Sequence, residues 1–398
     1  LFGRRTRIAG GDEMLNFTFH NPTKVFFGKD AIRLIAGEIP RNARVMIVYG
    51  GAGARASGAL DDVLAALRGY DLVEFGGIAP NPDYDLILPG VELAREKKID
   101  WIVAVGGGSV IDAAKFMSAA VPFADDPFLL MDRAGAAIRQ TLPVGAVVTL
   151  PASGSEMNSR AILSRKAYRI KKGVMNPLLH PRFAALDPTK TYTLPCAQIG
   201  NGVVDTFAHV LEQYLTYPAG GEVQDRLAEG LLHVLIDQGP KALVQPQNYD
   251  VRANLMWAAT LGLNGLIGAG VPQDWSAHRL GYELTVLYGL AHAETLACLV
   301  PAMLAVRLPG KREKLLQYGE RIWGLSAGGE TKRLAEAIGK TRAFFEAMGL
   351  PTRFAGYGLT GVDIERVAEL LAAHGMVDMG ERQDVTLDMM RDILKRCL

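Results

Sequence analysis

The sequence predicts two halves of different class, an α/β nucleotide-binding domain over residues 14–195 and an all-α domain over residues 196–398. Three observations carry this. Short apolar runs that end in glycine recur through the first half, each followed by a helical period, which is the pattern of βα units. One run, residues 101–105, is apolar almost throughout, as a parallel strand buried on both faces is. Beyond Pro195, segments with a 3.6-residue period dominate and β-branched runs become rare.

Taken in order, residues 1–13 are polar and rich in Gly and Arg, without the apolar core of a signal peptide. They read as an expression-derived leader outside the fold. Phe17 and Phe19 alternate ahead of a turn at Asn21 and Pro22, and Val25, Phe26, Phe27 and Gly28 follow. These are expected to form one or two strands, able to make an edge pair. Residues 45–49 are a strand, Gly50, Gly51, Ala52 and Gly53 a turn, and 60–67 a helix. Residues 72–75 are the next strand, followed by a stop at Pro80, Asn81 and Pro82 and a helix over 86–97. The strand at 101–105 runs into Gly106, Gly107, Gly108 and Ser109 and a helix over 110–119. A further strand, 144–150, ends in the loop from Pro151 to Glu156. After Thr193, Leu194 and Pro195, helices are expected at 203–214, 224–236, 248–262, 293–306, 314–323, 331–348 and 363–373.

Composition excludes several classes of function. Among 398 residues, 43 Lys and Arg nearly cancel 42 Asp and Glu, and no long basic run occurs, so neither nucleic acid nor an anionic membrane is expected as a partner. No apolar run has the length of a membrane span. Cys196, Cys298 and Cys397 are odd in number and form no CxxC pair, which points to a reducing, cytoplasmic compartment. A small neutral or singly charged substrate fits this balance.

Asp205 and His209 stand one helical turn apart and share a face. A carboxylate and an imidazole so placed can address one ion, and His278 and His292 are available downstream to complete a shell of N and O donors, which suits Zn²⁺ or Fe²⁺. Read alone, the pair would serve equally as polar positions on a helix whose apolar face is Val204, Phe207, Ala208, Leu211 and Leu215. His278 and His292 each lie near glycine, which lets other backbone come close. His20, His180, His233 and His374 lack such company and read as structural. Gly106, Gly107, Gly108 and Ser109 lie between a buried strand and a helix start, where free N–H groups and the helix dipole favour a phosphate. Asp112, in the first turn, is positioned to cap such groups. Gly50 and Gly51 after the first βα strand, and Ser153 and Ser155 after the strand at 144–150, add small and hydroxyl residues at further strand ends, where doubly wound sheets bind ligands.

These motifs in order, GGGS with Asp112, the 151–156 loop, Leu186-Asp187-Pro188, the Asp205/His209 helix, and His278 with His292 followed by Ala293 and Pro301, resemble the iron-containing (group III) alcohol dehydrogenases. The nearest branch is that of NADPH-dependent butanol dehydrogenases and aldehyde reductases, and the resemblance covers the chain from about Asn16 onward. It implies a dehydroquinate synthase-like fold with ligands Asp205, His209, His278 and His292 to one Fe²⁺ or Zn²⁺. It also implies cofactor contacts from Gly50, Gly51, Asn81, Gly107, Gly108, Ser109, Asp112, Thr149, Ser153, Ser155 and Asn158, with Lys171 rather than Lys172 on the nicotinamide side. The implied activity is hydride transfer between NADP(H), or NAD(H), and a primary alcohol/aldehyde pair. A dehydroquinate synthase-type cyclase, which shares the architecture but needs a cationic pocket, is the alternative. Tyr282 and Tyr288 stand where family members often carry histidines, and Gly53 where the nearest branch has serine. No acid precludes a 2′-phosphate beside Tyr49, Gly50 and Gly51, and Arg55 adds charge there if the helix start turns it inward, so NADPH is expected to serve at least as well as NADH. A homodimer through the N-terminal strands is expected, since an exposed β edge needs cover.

Overall fold

The computed structural model describes residues 13–398, so most of the expected leader lies outside the described residues. The chain divides into two compact units. One contains residues 20–198 and 244–264, the other the described residues up to Phe19 together with 199–243 and 265–398.

The first unit is built on β1 (Lys24–Phe27), β2 (Arg44–Tyr49), α1 (Ala52–Ala56), α2 (Ala59–Ala66), β3 (Asp71–Phe75), α3 (Tyr84–Glu96), β4 (Trp101–Gly107), α4 (Gly108–Ala120), α5 (Phe128–Asp132), β5 (Val144–Leu150), β6 (Arg160–Arg165), β7 (Ile170–Met175) and β8 (Phe183–Leu186). Six strands form a parallel sheet in the order β1-β8-β5-β4-β2-β3. Because side chains alternate across a strand, each strand feeds two cores. Met46, Val48, Ile102, Ala104, Ala146 and Val148 pack under α3 and α4. Val45, Ile47, Val103, Val105, Val147 and Phe183 pack on the opposite face with α2 and the short 3₁₀ turn Ala31–Gly37. This two-sided burial explains the unbroken apolar run in β4. Helix α3 begins earlier than its apolar period because Asp83 caps it, accepting from the Asp85 N–H at 3.0 Å.

Phe17 and Phe19 form no strand and are exposed; Leu15 N–H instead donates to Gly270 O at 2.8 Å. The expected edge pair is therefore one strand, β1, pairing parallel with β8. The antiparallel pair β6–β7 was not legible in its mixed Arg, Lys and Ser sequence. It is stitched to the sheet unit by β6 N–H groups: Ile162 donates to Asp112 Oδ2 at 3.0 Å and Ser164 to Pro82 O at 2.9 Å.

After α6 (Cys196–Tyr214) and α7 (Glu222–Val244), helix α8 (Tyr249–Gly262) returns to the sheet unit. The expected assignment of all residues after 195 to the helical domain differs here. The reason is local: Thr260 Oγ1 donates to Glu156 Oε1 at 2.6 Å, Arg252 Nη2 donates to Thr191 O at 3.0 Å, and Trp257 packs edge-on to Phe27. The second unit is completed by α9 (Ser276–Tyr288), α10 (His292–Val306), α11 (Leu308–Trp323), α12 (Glu330–Ala347), α13 (Ile364–Ala373) and α14 (Leu387–Cys397). In α6 the expected apolar face is buried, as are Asp205 and His209, so from Gly202 to Tyr214 this helix is enclosed on every side, while its first turn at Cys196, Ala197 and Gln198 is exposed. Among the described residues no single helix is long and apolar enough to cross a membrane.

Candidate metal centre and nucleotide cradle

In the helical unit, α6 presents Asp205 and His209 on one face, and His209 Nε2 lies 3.7 Å from Asp205 Oδ1. Helix α9 brings His278 to them, and the ligating atoms of Asp205, His209 and His278 all lie within 4.8 Å of one another. His292, the first residue of α10, places Nε2 at 3.8 Å from Asp205 Oδ1, with its ring 5.1 Å from that of His278. All four expected ligands thus converge. One carboxylate and three imidazoles, buried or half-buried and facing one point, fit a single divalent ion of the Zn²⁺ or Fe²⁺ type.

In the sequence, helix α9 is marked only by its glycines. Gly281 is where that punctuation acts: a Cβ there would lie 2.5 Å from Thr295 Oγ1 on α10, so glycine permits the close crossing that joins the His278 and His292 helices.

One functional residue was missed. Glu212 is buried on α6, and its Oε2 accepts from His278 Nδ1 while its two oxygens also accept from Ala277 N at 2.8 Å and His278 N at 3.3 Å. A carboxylate holding Nδ1–H leaves Nε2 as the lone-pair nitrogen, the orientation a metal ligand requires. Burial and then the neighbouring Asp274 carboxylate raise the Glu212 pKa well above the usual range, opposed by the two N–H groups and Lys311. The signal was present: Asp205, His209 and Glu212 follow an i, i+4, i+7 spacing and share one helical face. Trp275 adds an aromatic wall, its ring 5.2 Å from His278 and 6.1 Å from His209. The Tyr282 ring lies 5.8 Å from His292, whereas Tyr288 Oη is turned to accept from Asp363 N at 2.9 Å.

In the sheet unit, β4 ends in Gly106 and Gly107, and α4 starts at Gly108 with no side chain capping its N-terminus. Asp112 does not cap it. It is buried, accepting from Ser155 Oγ at 2.5 Å and Ile162 N at 3.0 Å, and burial raises its pKa against the pull of Lys115. Lys115, fully buried, donates to Ser155 Oγ at 2.8 Å, Asn158 Oδ1 at 3.1 Å and Arg160 O at 2.8 Å. Burial pushes the Lys115 pKa down to about 8. Asn158 Nδ2 donates in turn to Gly154 O at 2.8 Å. The polar atoms of Asp112, Ser155 and Asn158 are thus engaged with each other and with Lys115 beneath the 153–160 loop, so they act on a ligand through the shape of that loop.

Above this layer, Ser153 Oγ faces Gly108: a Cβ on Gly108 would fall 2.2 Å from it. Ser109 Oγ accepts from Asn81 N at 3.3 Å, and Asn81, in a left-handed conformation at φ 53, accepts from Lys171 Nζ at 2.7 Å. Lys171 is buried, whereas Lys172, on the other face of β7, stands 3.8 Å from Asp132; the two-residue strand period separates these neighbours. Thr149 is buried near the end of β5. Gly50 and Gly51 follow β2, and space is open beside Gly51 and Gly53. Arg55 lies over the Tyr49 ring, donating to Tyr49 Oη at 3.2 Å and Glu74 Oε2 at 3.3 Å, so part of its charge is already matched.

A parallel sheet with an uncapped glycine-rich helix start, and a helical unit with a histidine–carboxylate metal set, define a metal-dependent dinucleotide enzyme of dehydroquinate synthase-like fold. Residues 22–188 match the iron-containing alcohol dehydrogenases, and residues 200–398 match the C-terminal region of the Fe-containing alcohol dehydrogenase family. The chain belongs to that family and is an oxidoreductase using a nicotinamide cofactor and a metal. It is 50% identical over 382 residues to the NADPH-dependent aldehyde reductase YqhD of Escherichia coli, covering 96% of this chain and 99% of that one. It is 34% identical to NADH-dependent butanol dehydrogenase A of Clostridium acetobutylicum, covering 96% and 100%. Among solved structures, that of E. coli YqhD superposes with a TM-score of 0.96 at 49% identity, covering 97% of this chain and 100% of that one. The NADH-dependent butanol dehydrogenase A of Thermotoga maritima gives 0.92 at 30% identity, covering 97% and 99%. The cyclase alternative is not favoured by these matches.

Proposed function

We propose that the protein is a cytoplasmic aldehyde reductase and alcohol dehydrogenase that moves hydride between NADP(H) and a primary alcohol/aldehyde pair. One observation carries the reading most directly: Asp205, His209, His278 and His292 converge, with Glu212 fixing the His278 tautomer. A bound Fe²⁺ or Zn²⁺ supplies Lewis acidity toward the substrate oxygen, and the nicotinamide supplies or accepts the hydride. The chain's own residues do the rest. Glu212 and Trp275 hold the imidazoles in orientation. The N-terminus of α4, with Gly107, Gly108 and Ser109, receives the pyrophosphate, and Lys171 and Asn81 orient the nicotinamide side. Tyr282, whose ring lies beside that of His292, or water would pass the proton, since Tyr288 is engaged with Asp363. Open space at Gly51 and Gly53, with no carboxylate on either, supports use of NADPH at least as well as NADH.

The test is kcat/KM for short aldehydes with NADPH and with NADH, on protein reconstituted with Fe²⁺ or Zn²⁺, alongside His278→Ala. Turnover with NADPH at least equal to that with NADH, with bound metal and activity lost together in the folded variant, is the expected result. A full equivalent of metal retained by His278→Ala would remove that residue from the set, and a strong preference for NADH would show that the missing carboxylate does not decide cofactor choice.

A further inference from the structure

The first turn of α9 is capped from outside itself. Its N-cap residue is Trp275, at φ 66, and an indole can only donate. The N–H of Ser276 goes to Asp274 Oδ1 at 3.0 Å, and those of Ala277 and His278 go to Glu212 at 2.8 and 3.3 Å. Asp274 N–H donates to Glu212 O at 2.9 Å, which ties the two acidic residues together. Two buried carboxylates side by side are costly unless a cation is supplied, and Lys311 supplies it. Only 2% exposed, its Nζ lies 2.9 Å from Asp274 Oδ2 and 3.0 Å from Glu381 Oε1, and donates also to Leu215 O, just past α6. Glu381 is shared with Arg307, at 3.3 Å, and Arg307 reaches Asp384 at 2.5 Å. Both acids belong to the 379–385 loop, closed by the bridge between Met379 and Val385.

We propose that Lys311 is a positioning residue for the metal centre. By holding Asp274 it fixes the first turn of α9 and hence the direction of His278 Nε2, and through Glu381 it makes the 379–385 loop part of the metal site's support. The proposal rests on the metal reading above. Supporting groups of this kind set affinity without touching the ion.

Metal-free protein titrated with Zn²⁺ against a chromophoric chelator tests it, with Co²⁺ absorption as a report on ligand geometry and thermal unfolding of the metal-free forms as a check on the fold. His278→Ala is the control, and one equivalent retained there at wild-type affinity removes His278 from the ligand set, and with it the part of the metal reading on which this proposal rests, whatever Lys311 does. Lys311→Met is expected to bind one equivalent with Kd raised about tenfold or more and an altered Co²⁺ spectrum. Glu381→Gln is expected to give a smaller rise, and Lys311→Arg to recover most of the affinity. Wild-type Zn²⁺ affinity and Co²⁺ spectrum in a folded Lys311→Met, even with a lowered melting temperature, would overturn the proposal. If Lys311→Met does not fold, unchanged affinity in Glu381→Gln does the same.

Discussion

Gly108→Ala isolates the nucleotide cradle from the metal centre. A Cβ at this position would stand 2.2 Å from Ser153 Oγ and 2.8 Å from Ser153 Cβ. Rotating the serine clears its oxygen and gives up the 3.3 Å bond from Ser155 N–H. It does not clear Cβ, so the loop backbone has to move. That loop is braced from below by Lys115, Asp112 and Asn158 and yields only by straining those bonds. Overpacking of this kind costs about 1–3 kcal/mol. If the loop shift is expressed in cofactor binding, with 1.4 kcal/mol per tenfold, Kd for NADPH rises about 5- to 150-fold. Calorimetric titration of NADPH measures this, with thermal unfolding to register any share taken by stability. In Gly108→Ala/Ser153→Gly both clashing atoms are gone, so affinity should return most of the way to that of Ser153→Gly alone. A single Gly108→Ala variant with wild-type affinity and stability would refute the reasoning.

Lys115 gives a pH signature. Its folded pKa is lowered to about 8, against 10.5 when free, so between those values the unfolded chain holds a proton that the folded one lacks and stability from this group rises with pH. Below about pH 8 the full cost of the buried charge is present. Relative to Lys115→Met, wild-type unfolding free energy should gain about 2 kcal/mol from pH 8 to pH 10; parallel pH profiles in denaturant titrations would contradict the shift. Assembly is a separate expectation: β1 is the edge of the sheet, and exposed Phe27 and Trp257 lie together beside it, so a homodimer is expected, and light scattering that found only monomer at micromolar concentration would count against it.

Strands β2, β4 and β5 were legible because burial on both faces leaves a nearly unbroken apolar run closed by glycine or proline, a pattern that needs no tertiary information, whereas the half-buried edge strand β3 showed only a short run ahead of its turn. The β6–β7 pair was not, since its strands carry Arg, Lys and Ser whose partners, such as Asp85 for Arg165 and Asn81 for Lys171, lie far away in sequence. Helix α8 showed its period but not its owner, because a period identifies an apolar face and not the surface that covers it. At the metal centre the four donors followed from motif and resemblance. Glu212 was readable from helical spacing, but Asp274 and Lys311 were not, because their role exists only where three distant segments meet.

The return of α8 to the sheet unit bears on how this protein can be inherited. Each unit is assembled from separated stretches of one chain, and the thread passes from one to the other near residues 19, 198, 243 and 264. A recombination event or truncation at Pro195 would deliver neither unit whole: the sheet half would lose the hydroxyl of Thr260 from buried Glu156 and the ring of Trp257 from Phe27. The nucleotide cradle and the metal centre therefore cannot be exchanged as contiguous modules at that break.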